Sequence, residues 1–304
     1  MNGQPLVSII IITYNSSKYV LETLESAKQQ SYENIELIVA DDCSIDSTVE
    51  ICNHWIDKNK GKFKNANLIV ADHNEGIPSN CNRGLSVCHG EWIKYIAGDD
   101  ILAADCIAAF IDYVTQNKEA KIVESKSQFF RDVFKESNYF HIEDKSEDVF
   151  FSSETKAEQQ YQILLRRNTL HGPSVFINKK IIEDVGRFDV RFIFMEDHPL
   201  WLKLTNAGYR FYFMNKVTVF YRVHDSSVFA SGAQNKLYNT FYRKSYFFDK
   251  IYRLPYLNGI ERFNYLHKYY CLRLFDYLGL NRNNRFCKEL LKFFIRLNLL
   301  RLFQ

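Results

Sequence analysis

The stretch LVSIIIITYN, residues 6–15, is an almost unbroken apolar run that stops abruptly at Thr13, Tyr14 and Asn15. A run this short and this uniformly apolar suits a strand buried on both faces. The event recurs three times: IELIVA (35–40) runs into DDCSID, NLIVA (67–71) into HNEG, and EWIKYIA (91–97) into GDD. Helical patterns fill the gaps, from about Lys18 to Gln29, Ser47 to Asn59 and Pro78 to Cys88. The order βαβαβαβ predicts an α/β chain with a mostly parallel sheet flanked by helices. Ligands then bind at the carboxyl ends of the strands, where each polar cluster falls.

Composition narrows the function. The 304 residues, 46% of them hydrophobic, suffice for one large domain or one domain with an appendage. No apolar run approaches a membrane span, and PLVSIIII lacks the basic flank and small-residue cleavage site of a signal peptide, which places the chain in the cytoplasm. Seven scattered cysteines without a C-x-x-C argue against a disulfide framework and against zinc, and read as small buried hydrophobes. Neither G-x-G-x-x-G nor G-x-x-x-x-G-K-[ST] occurs, so a dinucleotide site and a P-loop lack support. Residues 231–304 hold 14 Lys and Arg against 4 Asp and Glu, a net of +10, leaving −7 for residues 1–230. The body is acidic and the tail basic.

Taken alone, Asp99 and Asp100 read as the acidic start of a helix, ILAADCIAAF. Four polar clusters at one sheet edge, with no matching basic cluster, favour a divalent cation that itself binds phosphate.

Six segments, in order, resemble the family-two glycosyltransferases. VSIIIITYN matches the opening strand, IVADDCSIDST the V-D-D-G-S-T-D-x-T loop, NEGIPSNCNRGL the N-x-G segment, GEWIKYIAGDD the D-x-D strand, VGRFDVRF the G-G-F-D-E-x-F segment, and MEDHPLWLKL the E-D-x-x-L-W-x-R-L helix. They cover about residues 6–224. The resemblance implies a GT-A fold over residues 1–230, with a nucleotide-sugar half to about 100 and an acceptor half from 101, and a basic, aromatic-rich helical region over 231–304. It implies inverting transfer from a nucleotide-sugar, a UDP-sugar by preference, to a glycan or lipid-linked saccharide in surface-polysaccharide synthesis, with Mg²⁺ or Mn²⁺ as cofactor and no nucleic acid as partner.

By the same resemblance Tyr14 stacks on the base and Asp42 reads base or ribose, with Thr13, Asn15, Asn82, Arg83 and Asp99 completing the nucleotide-sugar site. Asp41 and Asp46 read as structural acceptors in their loop. Asp99 is the metal ligand, with His224 as a second candidate. Ala97 stands where the family has its first acid, Ile12 replaces a common proline, and Cys81 replaces an arginine for which Arg83 can substitute. Asp197 is the general base, since inversion needs a carboxylate to take the acceptor proton and neighbouring Glu196 can raise its pKa. His171 and Gly172 fall on the acceptor side. A sugar nucleotidylyltransferase and a degenerate, non-catalytic binding subunit remain the alternatives.

Two segments are read without the resemblance. Residues 135–156 are acidic, polar and aperiodic, as in a mobile loop or insertion over the site. FCKELLKFFIRLNLLRLF (286–303) places Phe286, Leu290, Phe293, Phe294, Leu297 and Leu300 at helical spacing among Lys288, Lys292, Arg296 and Arg301. That pattern fits a peripheral anionic membrane surface on the inner face of the plasma membrane. A second copy of the chain, forming a homodimer, is the competing partner.

Overall fold

The computed structural model of the chain describes residues 4–193, 195–224, 236–238 and 242–297. The chain divides into two compact units, Met1–Val223 and His224–Gln304.

The first unit opens with β1 (Val7–Thr13), α1 (Val20–Lys28), β2 (Ile35–Asp41), α2 (Thr48–Asn59), β3 (Ala66–Val70), α3 (Ile77–Val87) and β4 (Trp92–Ala97). The strands lie in the order β3-β2-β1-β4 and are all parallel. Val7, Ile9, Ile10, Ile11, Leu37, Ile38 and Val39 are fully buried, as strands covered on both faces require. The register sets Thr13 opposite Asp41 and Ile12 opposite Ala97, so three strands end level and their polar loops share one edge.

The chain continues through β5 (Ile101–Leu102), α4 (Cys106–Gln116), β6 (Ile122–Arg131), β7 (Tyr139–Glu143), α5 (Ala157–Arg166), β8 (Val175–Asn178), α6 (Lys179–Asp184), α7 (Asp197–Asn206) and β9 (Phe211–Val223). These strands extend the sheet as β4-β8-β6-β9-β5, with β7 also pairing β6. Here the sheet turns mixed: β8 is antiparallel to both β4 and β6, while β6 and β9 run parallel from Ile122 to Arg131. Phe176 of β8 seals the join, stacked on Trp92 at 5.1 Å and Phe110 at 4.8 Å between ring centres.

Two expectations are corrected. Asp99 and Asp100 do not start a helix: Ile101 and Leu102 pair with Phe220 and Val219 of β9, and α4 begins only at Cys106. The cause is a long-range contact: Asp100 Oδ1 accepts the Arg222 backbone N–H at 2.8 Å and holds the chain on β9. Residues 135–156 are not an unstructured loop: β7 pairs with β6, Phe150 is fully buried, and Lys145 reaches Glu124 at 2.5 Å.

In the second unit the described helices are α8 (Tyr242–Tyr252), α9 (Gly259–Tyr277) and α10 (Arg285–Arg296). Asn258 and Asn284 cap α9 and α10 by accepting the N–H groups of Glu261 and Cys287. Cys271, Phe275, Cys287 and Leu291 are buried, and Phe275 meets Phe294 edge-on at 5.8 Å. Phe286, Phe293 and Leu297 of the expected stripe stay exposed, whereas Leu300 and Arg301 lie outside the described residues. No described helix is long and apolar enough to cross a membrane.

Candidate functional site

The loops after β1, β2 and β3 are tied together by carboxylates. Asp41 accepts from the Thr13 hydroxyl at 2.8 Å and from the Ser44 N–H and hydroxyl at 2.7 and 2.6 Å. Asp46 accepts from the Ser17 N–H at 3.1 Å and the Thr48 hydroxyl at 2.5 Å. Both are the loop acceptors expected of them. Asn15, at φ 49°, accepts the Ile45 N–H at 2.9 Å. Tyr14 projects from this ordered loop and is 48% exposed, a free aromatic face beside polar groups.

Asp42 is 3% exposed and accepts the N–H groups of Glu75 and Gly76 at 3.1 and 2.7 Å. Gly76 has φ 88°, and a Cβ there would fall 2.2 Å from the Ile193 side chain, so glycine is required twice over. Arg83 bonds Asn80 at 2.6 Å, pairs with Glu75 and stands 3.5 Å from Asp42. Asn82 spends its amide on both backbone groups of Phe188, at 2.9 and 3.0 Å, locking α3 to the 186–188 segment.

At the end of β4, Gly98 lies so close to the first loop that a Cβ would meet Thr13 Cγ2 at 2.8 Å. Asp99 follows, half-buried, and then Asp100, fully buried. Burial, then the charge of Asp99, pushes the Asp100 carboxyl well above the usual range. Its Oδ2 accepts no hydrogen bond. Adjacent carboxylates with an orphaned buried oxygen fit a hard cation, but among the described residues no three His, Cys, Asp or Glu gather as ligands. The donor set therefore suits an ion completed by phosphate oxygens rather than one caged by protein. His224 directly follows β9 and begins the second unit.

On the other side, α7 starts at Asp197. Its Oδ1 accepts the His198 N–H at 2.6 Å, its Oδ2 lies 3.3 Å from the Asn168 amide, and the His198 ring donates to the Leu164 carbonyl at 2.8 Å, anchoring α7 to α5. A Cβ built on Gly172 would fall 3.8 Å from Asp197 Oδ2, so the 171–174 loop borders this carboxylate. Fully buried Lys94 holds that loop by donating to the carbonyls of Pro173 and, at 3.4 Å, Val175. Crowding by protein pushes Asp197 up, against the hydrogen bonds from His198 and Asn168. The same crowding, then the charge of Asp197, pushes Glu196 up to about 7. His171 sets Nδ1 2.9 Å from the Ser127 hydroxyl, and burial, with help from Lys145 and Lys94, brings its pKa down to about 3, leaving it neutral.

Contacts at α3 join the two sides: Gly76, which donates to Asp42, packs against Ile193 just before Glu196, and Asn82 bonds Phe188. Burial pushes the Cys81 thiol far up, and the charges of Glu196, Asp197 and Asp42 push it further. Tyr221, edge-on to His171 at 4.9 Å, is likewise raised by burial and then by Asp100, Asp99 and Glu196. Tyr221 and Arg222 are site residues that sequence reasoning missed. Their only signal is an arginine inside the apolar strand VTVFYRV. A cavity of about 500 Å³ is lined by Ile101, Phe130, Phe134, Glu136 and Phe220, beside the Arg222 that bonds Asp99 and Asp100.

Residues 8–186 match Glycosyl transferase family 2. The chain belongs to this family. It is 30% identical over 228 residues to the Escherichia coli UDP-Glc:alpha-D-GlcNAc-diphosphoundecaprenol beta-1,3-glucosyltransferase WfaP, covering 74% of this chain and 80% of that one. Two relatives from Rickettsia are matched over only 65% and 64% of their length. Among solved structures, Staphylococcus aureus TarS 1–349 in complex with UDP-GlcNAc superposes with a TM-score of 0.61 at 19% identity, covering 89% of this chain and 73% of that one. The Pyrobaculum calidifontis mannosyltransferase PcManGT, in complex with GDP-Man and Mn²⁺, gives 0.52 at 19% identity over 71% and 57%. The architecture of this family 2 glycosyltransferase is the GT-A fold.

Proposed function

We propose that this family 2 glycosyltransferase moves a sugar, with inversion, from a nucleoside diphosphate sugar to a hydroxyl of a glycan or lipid-linked saccharide in surface-polysaccharide synthesis. A UDP-sugar is the leading donor, since UDP stands in the name of WfaP and in the TarS complex. The observation that carries the reading is the contact of the Asp42 loop with the segment before α7: Gly76, whose N–H donates to Asp42, packs against Ile193, three residues before Glu196.

In this reading the nucleotide lies over Thr13, Tyr14 and Asn15. Tyr14 stacks on the base, and Asp42 and Arg83 face the ribose and diphosphate. Asn82 acts through the 186–188 backbone it holds. The acceptor oxygen bonds to the anomeric carbon as the bond to the diphosphate breaks. The diphosphate leaves with the electron pair, and the proton passes to Asp197. Two adjacent carboxyls ionise together only at a cost, so Glu196 keeps the shared proton while Asp197, supported by the His198 N–H, stays ionised. Asp99 would hold a Mg²⁺ or Mn²⁺ ion together with the diphosphate, and His224 is the second candidate ligand. The ion, when bound, neutralises charge on the departing diphosphate. Mn²⁺ in the PcManGT complex supports this cofactor.

The helical region supports a peripheral site on the inner face of the plasma membrane. Exposed Phe263, Tyr270, Leu274, Phe286 and Phe293 stand among exposed Arg262, Lys268, Arg273, Lys288 and Lys292. A surface of that chemistry fits anionic headgroups, where a lipid-linked acceptor would be found.

The test is a thermal-shift panel of UDP-, GDP-, dTDP- and CMP-sugars with Mg²⁺, Mn²⁺ or chelator, since a ligand that binds only the native state raises its melting temperature. One nucleotide should dominate and should need the cation. A panel without any shift would remove the donor reading.

A further inference from the structure

A guanidinium buried without partners costs more than a fold of this size tolerates, so a buried arginine marks a place where several elements are held together. Arg222 is 1% exposed, near the end of β9 and directly after Phe220 and Tyr221. Its Nε donates to the Asp99 carbonyl at 2.7 Å, its Nη1 donates to the Asp132 carbonyl, and its Nη2 stands 3.1 Å from Glu22. The guanidinium lies over two rings, Tyr19 at 4.3 Å and Phe134 at 4.1 Å. Its own backbone N–H is the donor to Asp100 Oδ1.

These contacts divide in a telling way. Arg222 grips the main chain of Asp99 with its side chain and the side chain of Asp100 with its main chain, so both residues of the pair are clamped by one residue. The clamp is itself seated on α1 through Tyr19 and Glu22, and on the 132–134 hairpin tip through Asp132 and Phe134. Thr23, also on α1, donates to the Asp100 carbonyl at 2.7 Å, and Gly98 packs against Thr13. The Asp99–Asp100 turn is thereby fixed relative to the first loop from both ends.

We propose that Arg222 is a positioning residue for donor binding: it sets the Asp99 turn against the first loop and makes that setting depend on the seated hairpin tip at Phe134. The proposal rests on the donor-site reading above. Arginine is required rather than lysine, because a planar fork can donate in two directions while lying flat between two rings, and an ammonium cannot.

The experiment measures donor affinity, by calorimetry with the nucleotide-sugar chosen from the panel and Mn²⁺, for the full chain, Arg222→Lys, Phe134→Ala and Glu22→Gln. Glu22 is half exposed, so its variant keeps the fold even if Arg222→Lys does not. We expect a loss of about tenfold for Arg222→Lys, the scale of one charge-assisted hydrogen bond, and about two- to fivefold for the other two. Each is then repeated in an Asp99→Asn background. If Arg222 acts through Asp99, the losses shrink there; a purely structural role leaves them additive. Folded Phe134→Ala and Glu22→Gln proteins with wild-type affinity, or losses that add fully to that of Asp99→Asn, overturn the proposal. A wild-type chain that binds no nucleotide-sugar removes the donor-site reading as well, and so separates the two failures.

Discussion

Glu36 in the first half of the catalytic unit and Glu124 in the second are both 1% exposed, yet their carboxyls move in opposite directions. Burial alone would push Glu36 up, but the Ser8 hydroxyl at 2.5 Å and the N–H groups of His89 and Gly90 overcome it and hold the group below its ordinary value. Glu124 is pushed up to about 7 by burial despite its pairing with Lys145, and its Oε2 accepts no hydrogen bond. Equal solvent exposure hides a difference in depth: Glu124 is enclosed by protein on all sides with one oxygen unpaired, whereas Glu36 is less enclosed and is met by the hydroxyl and backbone donors. The contrast in direction extends across the two halves. Asp46 in the first half is pulled down to about 2, with the bonds from Thr48 and Ser17 winning over burial, while Asp100, Glu196 and Asp197 in the second are all raised. In the first half hydrogen bonds hold the carboxyls low and fasten the loops; in the second burial holds them high.

The sharpest way to break this contrast is Asp197→Asn. The amide keeps the shape at the start of α7 but cannot take a proton. Turnover should fall about 10² to 10⁴, the usual share of general-base catalysis, while donor affinity changes little. Nucleoside diphosphate release under saturating donor and acceptor measures it, and unchanged turnover would sink the assignment.

Tyr14→Ala tests the first half with the next largest effect. The ring is half exposed and takes no part in the core, so melting should hardly change. A lost stacking partner is worth about 1–3 kcal/mol, so donor Kd should rise about tenfold at unchanged saturated turnover. Equal losses in turnover and in Kd would mean that Tyr14 orders the loop rather than binding the base.

The same division explains what the sequence could reveal. Strands β1, β2 and β4 are parallel and buried on both faces, so each appears as a mostly apolar run, interrupted only by Ser8, Glu36 or Lys94, whose polar stop locates the site edge. In the second half, β5 has only two residues and exists because Asp100 bonds the Arg222 N–H, a contact spanning more than a hundred residues. No local pattern carries that. The segment 135–156 is unreadable for a related reason: β7 has only five residues, mostly exposed, and is set by pairing with β6 and by Lys145 reaching Glu124. Tyr221 and Arg222 owe their places to the register of β9 against β6 and β5, which only the folded sheet fixes.

A pH titration separates the halves in one measurement. Glu196 has a folded pKa raised from 4.5 to about 7, so its stabilising contribution is full below 4.5 and is lost as pH rises through about 7. Asp46 runs the other way: its contribution is present above 3.8 and disappears as pH falls through about 2. Melting temperature should therefore decline by a few degrees between pH 4.5 and 7 in the unliganded protein, and Glu196→Gln should lessen that decline. Because Asp197 must be ionised to act, the acid limb of kcat/KM should lie above 3.8 and should stay in place in Glu196→Gln, because burial raises Asp197 and the protonated Glu196 carries no charge in that range. Because Glu124 is raised to about 7 as well, part of the decline should remain in Glu196→Gln; an undiminished decline would place the titrating group elsewhere.

The smallest expected effects lie in the helical region, where each basic side chain near an anionic surface contributes only about 1 kcal/mol. Exposed Lys288 is therefore expected to matter about fivefold on its own, and Lys288→Glu together with Arg285→Glu about a hundredfold or more, in partition onto vesicles containing phosphatidylglycerol. Neutral phosphatidylcholine vesicles should hold little protein, and binding should weaken as salt screens the surface. Phe293→Ser should weaken binding at every salt concentration, because the exposed ring contributes burial rather than charge. A second copy of the chain is the competing occupant of the same faces of α9 and α10. In that event Phe293→Ser would shift the oligomeric state in sedimentation, while the charge reversals would leave both vesicle types equally unbound.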